Sequence, residues 1–255
     1  SVNELQSYPK YTPTSVIGHK KAKKLEPHIN FKGNENIIFS KADGAIDPKD
    51  AISKMIDVIK KNGGSVLYPC KFERIIESND SFSKVKTSMG ILKSENVIFC
   101  NGVDVDNSFN VNFLKKPRPG VIIKTKPQKN LINSVVYGPK IHAHQQSNGQ
   151  IIIGEQITAP IKKNTKDHIK RINKHFKSMV KGGTDLNPSE VLIGWRPIPK
   201  DDLPIIGKFK NKSVYIAVMH SGISLAAIVG NLVSQEIVDE VDSLLLKDFR
   251  PSRFF

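Results

Sequence analysis

The segment from Val214 to Leu225 most constrains the fold, because it predicts a buried strand that continues through a tight turn into a helix. An apolar run ends near Met219, Ser221-Gly222 supplies the turn, and a new apolar series then continues to Ile237. A helix that starts at the end of a strand points free backbone N–H groups, and the positive end of its dipole, beyond the sheet. This arrangement favours an anion or an electron-rich ring oxygen, although many parallel sheets have the same turn.

A second apolar run, Asn96–Gly102, also ends in glycine and predicts a central strand covered on both faces. Further upstream, Asp47-Pro48 predicts a helix start, since aspartate accepts from free N–H groups and proline lacks a donor that would be unpaired there. Asn62-Gly63-Gly64 predicts the end of that helix.

The remaining strand-like segments are antiparallel in pattern. Phe72–Ile76 and Val85–Ile91 predict a small meander, and several strands are predicted between residues 120 and 155. Ser147-Asn148-Gly149 is a strong hairpin turn between the last two of them. The predicted fold class is therefore an α/β and α+β mixture, in which the chain leaves one layer and later returns to it.

Composition limits the class of protein. With 255 residues and 38% hydrophobic content, the chain can bury a sizeable core, and its sequence has neither a run of about 20 apolar residues nor a signal-peptide core. We therefore expect a soluble, cytoplasmic protein. Cys70 and Cys100 lie in apolar runs and predict buried thiols. The net charge of +15 comes from scattered lysines without a recognition motif, so we predict no nucleic-acid partner but a surface that attracts anionic substrates.

The loop from Gly194 to Gly207 carries the single tryptophan beside Arg196 and is stiffened by prolines. A planar guanidinium held on such a loop suits bidentate capture of a carboxylate, as in an amino-acid substrate. A structural ion pair between Arg196 and Asp202 accounts for the same residues, so both interpretations stay open.

Three histidines are further candidates. Alternation puts His142 and His144 on one face of a strand, where they could bind a metal or form a polar cavity wall. Because no third ligand is close in sequence, we predict the cavity wall and no metal. His220 is either a structural residue at a strand end or a catalytic one. The sequence contains no Ser-His-Asp arrangement, Cys-His pair, P-loop or G-x-G-x-x-G motif.

Several segments match the motifs of one family in that family's order, over nearly the whole chain. They are Leu25-Glu26-Pro27, Gly44-Ala45-Ile46-Asp47-Pro48, Asn96–Gly102, Gly149–Gly154, Gly194-Trp195-Arg196-Pro197 with Asp202–Gly207, His220–Ala226 and Phe249–Phe254. Asn101 and Met219 depart from the usual small residue and glycine. With these motifs the chain resembles the D-amino-acid oxidase class of flavoproteins, which includes glycine oxidase, sarcosine oxidase and D-amino-acid dehydrogenase.

The resemblance implies an FAD cofactor and hydride removal from the α-carbon of a small amine or amino acid, giving an imine that water hydrolyses. It implies that residues 1–42 and 106–195 form a substrate domain with an antiparallel sheet. Residues 43–105 would be the remnant of a Rossmann-like FAD-binding layer with a β-meander, and residues 196–255 would return to that layer with a C-terminal helix. The implied catalytic residues are Arg196, His144 and His220. The implied cofactor-binding residues are Phe72, Asn101, Gly102, Gly194, Pro197, Asp202, Gly207, Ser221, Gly222, Ile223, Ser224 and Leu225.

Members of this class begin with a strand, a G-x-G-x-x-G turn and a helix that seat the FAD pyrophosphate, and this sequence lacks them. We therefore expect the C-terminal portion of such an enzyme, inactive by itself and with weak or no FAD binding. The alternative is a non-catalytic fragment that acts as a ligand- or partner-binding module. A basic nucleic-acid-binding protein is the third and least favoured hypothesis.

Overall fold

The computed structural model describes residues 14–155, 165–182 and 188–255. In chain order, the elements of this part are β1 (Thr14–Ile17), α1 (His19–Leu25), β2 (Ile37–Ser40), α2 (Pro48–Lys61), β3 (Phe72–Ser78), β4 (Ser83–Thr87), β5 (Gly90–Ser94), β6 (Val97–Phe99), α3 (Val105–Phe109), β7 (Arg118–Thr125), β8 (Val136–Tyr137), β9 (Ile141–Gln145), β10 (Ile151–Glu155), α4 (Thr165–Met179), β11 (Pro188–Arg196), β12 (Ile205–Phe209), β13 (Asn211–Val218) and α5 (Ala226–Val238). This mixture of helices and mostly antiparallel strands confirms the predicted fold class. Within the described ranges, no helix is both long and apolar enough to cross a bilayer.

The chain forms two compact units, each assembled from two separate stretches. The first unit comprises Ser1–Asp47 and Pro119–Gly194, and the second comprises Pro48–Arg118 and Trp195–Phe255. The substrate-binding and FAD-binding roles that the resemblance gives to parts of the chain stay predictions.

The first unit contains a five-stranded sheet in the order β11-β7-β10-β9-β8, with antiparallel pairing from β7 through β10 and β9 to β8. Strand alternation gives the sheet one buried face, since successive side chains of a strand point to opposite sides. Buried isoleucines of β7, β9 and β10 form the core of this unit with Ile172 and Phe176 of α4. The predicted hairpin turn is confirmed: it connects β9 and β10, and Gly149 adopts the left-handed φ of 84° that this turn requires.

The second unit contains a three-stranded sheet in the order β12-β13-β6 and a separate meander, β3-β4-β5. The central strand is β13, which pairs antiparallel with β12 and parallel with β6. One core cluster of this unit is rich in aromatic side chains and includes residues of β6, α3, β12 and β13. In it, Phe109 makes edge-on contacts to both Phe99 and Phe209. A second core cluster lies between β13 and α5 and includes Tyr215, Val229 and Val233.

The helix predicted to start at Asp47-Pro48 is confirmed as α2, which begins at Pro48. Its end is also as predicted, because the N–H of Gly64 donates to the carbonyl of Ile59 and Gly63 adopts a φ of 82°. Yet no residue of α2 is buried. An apolar stripe at helical spacing therefore identified the helix without identifying a neighbour that covers it.

Three local predictions were wrong. Val85–Ile91 is not one strand but the end of β4, a tight turn and the start of β5, because the N–H of Met89 turns back to Thr87 Oγ1. In the described sheet β6 is an edge strand rather than a central one, and Ile98 stays 44% exposed. Cys100 follows that edge and is exposed as a free thiol rather than buried.

Candidate functional site

Three of the predicted site segments lie at one edge of the second unit's sheet. Because β6 and β13 are parallel, with Phe99 opposite Ile216, their carboxyl ends leave the sheet on the same side. Because β12 is antiparallel to β13, with Ile205 opposite Val218, the loop that leads into β12 arrives at that side too. This edge therefore collects Asn101-Gly102, the turn that starts at His220 and residues 197–204, which we call the Arg196 loop. Arg196 itself is the last residue of β11, so the prediction that the loop extends from Gly194 to Gly207 was wrong at both ends, where β11 and β12 continue into it. Ligands of open α/β sheets bind at such carboxyl ends.

Gly102 starts a 3₁₀ turn beside the Arg196 loop and adopts a left-handed φ of 59°. A Cβ built at Gly102 would meet only Pro197 Cγ, at 3.9 Å, so the backbone here is open to close approach. The Nδ2 group of the preceding Asn101 donates to Ser108 Oγ at 2.8 Å. Its Oδ1 atom is buried and accepts from no donor in the described part of the chain. A buried acceptor without a donor is costly, and it fits a site that a ligand donor completes.

The turn after β13 presents backbone donors, although α5 starts later than predicted, at Ala226. The N–H of Leu225, which the resemblance places among the cofactor-binding residues, donates to Ser221 O at 3.0 Å, so this residue offers no free backbone donor. The N–H groups of Gly222, Ile223 and Ser224 donate to no acceptor among the described residues, and all three residues are exposed. The available donors therefore belong to the turn itself. The N–H of Leu225 makes the first helical hydrogen bond, and the three N–H groups before it lie on exposed residues. His220 is exposed at the start of this turn, with Nδ1 at 3.1 Å from Ser221 Oγ.

The Arg196 loop is anchored along its length. Lys115 N–H donates to Ile198 O at 2.8 Å and Lys200 N–H donates to Phe113 O at 2.9 Å, so the loop is tied to residues 113–115 like a short strand. Asp202 pairs with Lys115 at 2.6 Å and not with Arg196, so the structural ion pair considered for Arg196 does not form. Arg196 itself is half-buried and has neither an ion pair nor a side-chain hydrogen bond within the described residues. Its guanidinium keeps all of its donors for an external group.

The C-terminal residues hold the other end of this loop. Arg253 donates to both carboxylate oxygens of Asp201, at 2.6 and 3.1 Å, and to the carbonyl of Leu203 at 3.0 Å. The Arg253 guanidinium thereby holds the pKa of the Asp201 carboxyl below its usual range. Sequence reasoning placed Arg253 in a family motif without giving it a role, because its partner lies about fifty positions upstream.

A second arginine of the same segment explains Gly207. Arg250 donates to the buried carboxylate of Glu236 on α5, which also accepts from the Tyr215 hydroxyl of β13. Burial raises the pKa of Glu236, but the hydrogen bonds from Arg250 and Tyr215 outweigh it and leave that pKa below its ordinary value. A Cβ at Gly207 would lie 3.0 Å from Arg250 Cδ, and φ is 149°, so a glycine here lets the arginine side chain pass β12 without a tight contact. Gly207 is thus explained by packing within the chain.

In the first unit, His142 and His144 lie on one face of β9, as predicted, and this face is opposite the core. The polar cavity wall stays a prediction. His144 is half-buried, and burial lowers its pKa although the Asp47 carboxylate opposes the shift. The imidazole of His142 stacks on the Tyr137 ring at 5.3 Å and covers Gly154, where a Cβ would lie 2.2 Å from the ring. Across the described residues, no group of three His, Cys, Asp or Glu side chains is arranged to hold a metal.

Phe72 and Gly194 are the two remaining predicted site residues, and the structure shows only what surrounds them. Phe72 starts β3 and packs edge-on against Phe99, at 5.0 Å between ring centroids. Gly194 lies near the end of β11, and a Cβ there would meet no atom within 4 Å. Their cofactor contacts stay predictions.

Residues 3–236 match the family model described as FAD dependent oxidoreductase. The chain therefore belongs to the FAD dependent oxidoreductase family, which confirms the resemblance predicted from its motifs. It is similar to the bifunctional protein ThiO/ThiG of Trichormus variabilis (strain ATCC 29413 / PCC 7937), with 24% identity over 190 residues that cover 71% of this chain and 29% of that protein. The match to the ThiO/ThiG protein of a Synechocystis species has 22% identity over 229 residues, covering 83% of this chain and 33% of that protein. The chain thus spans about a third of the length of these relatives.

Solved structures share the fold. L-proline dehydrogenase from P. horikoshii superposes with a TM-score of 0.87 at 21% identity, covering 99% of this chain and 71% of that one. Glycine oxidase from Geobacillus kaustophilus gives a TM-score of 0.82 at 17% identity, covering 94% of this chain and 66% of that one. At these identities the likeness establishes the architecture, and the chemistry has to be argued from the site.

Proposed function

We propose that this chain forms the substrate-capturing part, and a share of the cofactor site, of an FAD-dependent enzyme that oxidises a small amine or amino acid at its α-carbon. One observation carries the proposal: Arg196 ends β11, directly before an anchored loop whose Pro197 lies beside Gly102, and it has no carboxylate partner among the described residues. A planar guanidinium in that state suits the bidentate binding of a substrate carboxylate.

The residues at this edge also fit FAD. The N–H groups of Gly222, Ile223 and Ser224 would donate to electron-rich acceptors of the cofactor, Asn101 Oδ1 would accept from a hydroxyl or amine, and Gly102 would allow close approach. When bound, FAD would supply the acceptor for the hydride, which carries two electrons away from the α-carbon of the substrate. Donors fixed in advance at a position where negative charge develops stabilise that charge without rearrangement.

The chain's own contribution would be orientation. Arg196 would hold the carboxylate of the substrate so that its α-carbon keeps one position, which removes much of the entropic cost of reaction. His220, exposed at the start of the donor turn, is proposed as a polar residue that contacts the substrate. The role of His144 stays a prediction from the family resemblance.

Two measurements test this function. In a protein that joins this chain to a dinucleotide-binding segment, we expect added FAD to raise the melting temperature, because a ligand that binds only the folded state stabilises it by mass action; for the chain alone we expect little or no rise. We then expect glycine or L-proline, the substrates that the names of the structural relatives suggest, to bleach the flavin absorbance under anaerobic conditions.

The variant Arg196→Leu separates substrate capture from cofactor binding. In the same joined protein, loss of a bidentate charged contact should raise KM by about tenfold or more, with FAD content unchanged. A matching loss of FAD content would show that Arg196 is structural, and an unchanged KM for every amino acid tested would contradict the proposed site. Arg118→Leu, which removes an exposed arginine outside the loop, is the control.

A further inference from the structure

Two aspartates lie in the loop that directly follows Arg196, and cations from outside the loop bind both of them. Asp201 accepts two hydrogen bonds from Arg253, and Asp202 pairs with Lys115 at 2.6 Å. Further hydrogen bonds hold both cationic residues in place. The Lys115 N–H donates to Ile198 O, and the Arg253 guanidinium also donates to the Leu203 carbonyl. Arg196, at the end of β11 where the loop begins, is left without a carboxylate in the described part of the chain.

The simplest pairing of charges would join Arg196 to an aspartate of the loop that follows it, and this pairing does not form. A carboxylate a few residues from a guanidinium on the same loop competes with any free carboxylate, because its effective concentration at the arginine is high. Asp202 is mostly exposed and lies only six positions after Arg196, so it is the natural internal competitor. An aspartate that is already paired with another cation competes much less for Arg196.

We propose that Lys115 and Arg253 are positioning residues that keep Arg196 open to the substrate carboxylate by occupying Asp202 and Asp201. The inference rests on the proposed function, in which Arg196 binds that carboxylate. Lys115 is the sharper of the two to test, since its ammonium makes a single exposed ion pair whereas Arg253 also supports the backbone of the loop.

The reactivity of Arg196 towards phenylglyoxal, followed by peptide mass spectrometry, reports directly on whether its guanidinium is paired. We expect Lys115→Gln to slow modification at Arg196 by about two- to fivefold, the effect of forming one exposed ion pair. Lys115→Gln combined with Asp202→Asn should restore the wild-type rate, and Lys115→Arg should retain it. Restoration by the second substitution is the decisive readout, because damage to the loop would not be repaired by removing a carboxylate.

A matched control is built into the second unit. Lys208 and Asp242 form an ion pair at 3.2 Å with nearly the same side-chain exposure, 36% and 67%, against 36% and 69% for Lys115 and Asp202. Lys208→Gln should therefore leave the rate at Arg196 unchanged. Arg250, which is bound to Glu236, serves as an internal reference for a protected arginine.

The outcomes separate the inference from the proposed function. Protection of Arg196 by added acetate supports its role as a carboxylate binder, and no protection contradicts the proposed function whatever the variants do. If acetate protects but Lys115→Gln reacts like the wild type, the positioning role is wrong. Slow reaction in both Lys115→Gln and the double variant would also overturn it, because the effect would then come from loop structure.

Discussion

Asp201 and Asp202 are neighbours in sequence, but only Asp201 receives a bidentate guanidinium. The difference appears in its titration, since Arg253 holds the pKa of Asp201 low. A carboxyl whose pKa is lower in the folded state adds stability above its unfolded pKa, and the contribution is lost as the pH falls through the folded value. The pair is partly exposed, with Asp201 at 35%, so solvent screening keeps its contribution small.

We expect Asp201→Asn to lower the free energy of unfolding by about 0.5–1 kcal/mol at pH 7. The difference from the wild type should shrink as the pH falls below the unfolded pKa of about 4, and vanish once the folded wild-type carboxyl is protonated as well. Urea denaturation at pH 7 and at successively lower pH values measures it. Asp57→Asn on α2, which removes the same charge from an exposed helix, controls for net charge, and an equal loss there would contradict the pairing argument.

The C-terminal segment fastens several elements at once, since Arg250 reaches Glu236 of α5 and passes directly over Gly207 of β12. Sequence patterns predicted most of the elements themselves, because strand and helix periods and turn residues act locally, as in α2 and the β9–β10 hairpin. They did not predict the cross-links, because the partners of Arg250 and Arg253 are distant in sequence. Nor did they predict that Leu225 N–H is already bonded, since the exact start of a helix depends on one local hydrogen bond.

Gly207→Ala tests this fastening. The added Cβ would lie 3.0 Å from both Arg250 Cδ and Pro251 Cδ, and φ is 149°, so we expect a loss of about 1–3 kcal/mol in unfolding free energy. Gly230→Ala on α5 is the matched control: its Cβ would meet no atom within 4 Å, and the change should stabilise by up to about 1 kcal/mol. Equal effects of the two changes in chemical denaturation would rule out the steric explanation.

At the scale of the whole molecule, the second unit has several apolar side chains that are exposed and not packed in its cores. Ile52, Met55 and Val58 of α2 and Ile91 of β5 are all exposed by 47% or more. Surface of this kind is where apolar partners bind or copies associate. A helical period predicts an apolar stripe on α2, but it does not show whether another part of the protein covers that stripe.

Replacing Met55 and Val58 together by glutamine should reduce binding of an apolar fluorescent dye while changing stability by less than about 0.5 kcal/mol per site. Val233→Gln, at a buried position of α5, should instead destabilise by about 2–4 kcal/mol. Dye fluorescence and denaturation midpoints measure the two effects. Equal destabilisation by the two replacements would mean that α2 is covered in solution.

The parallel pairing of β6 with β13 has a consequence for synthesis. Val97 opposes Val214, so β6 leaves the ribosome about 120 residues before the strand that completes its pairing. At about 5–20 residues per second, that interval lasts roughly 6–25 s, during which the first unit's sheet can already form. Closing so long a separation delays native pairing, and the unpaired β6 edge is open to wrong neighbours meanwhile. Slow steps and chaperone dependence in the maturation of this protein are therefore expected to arise in the second unit.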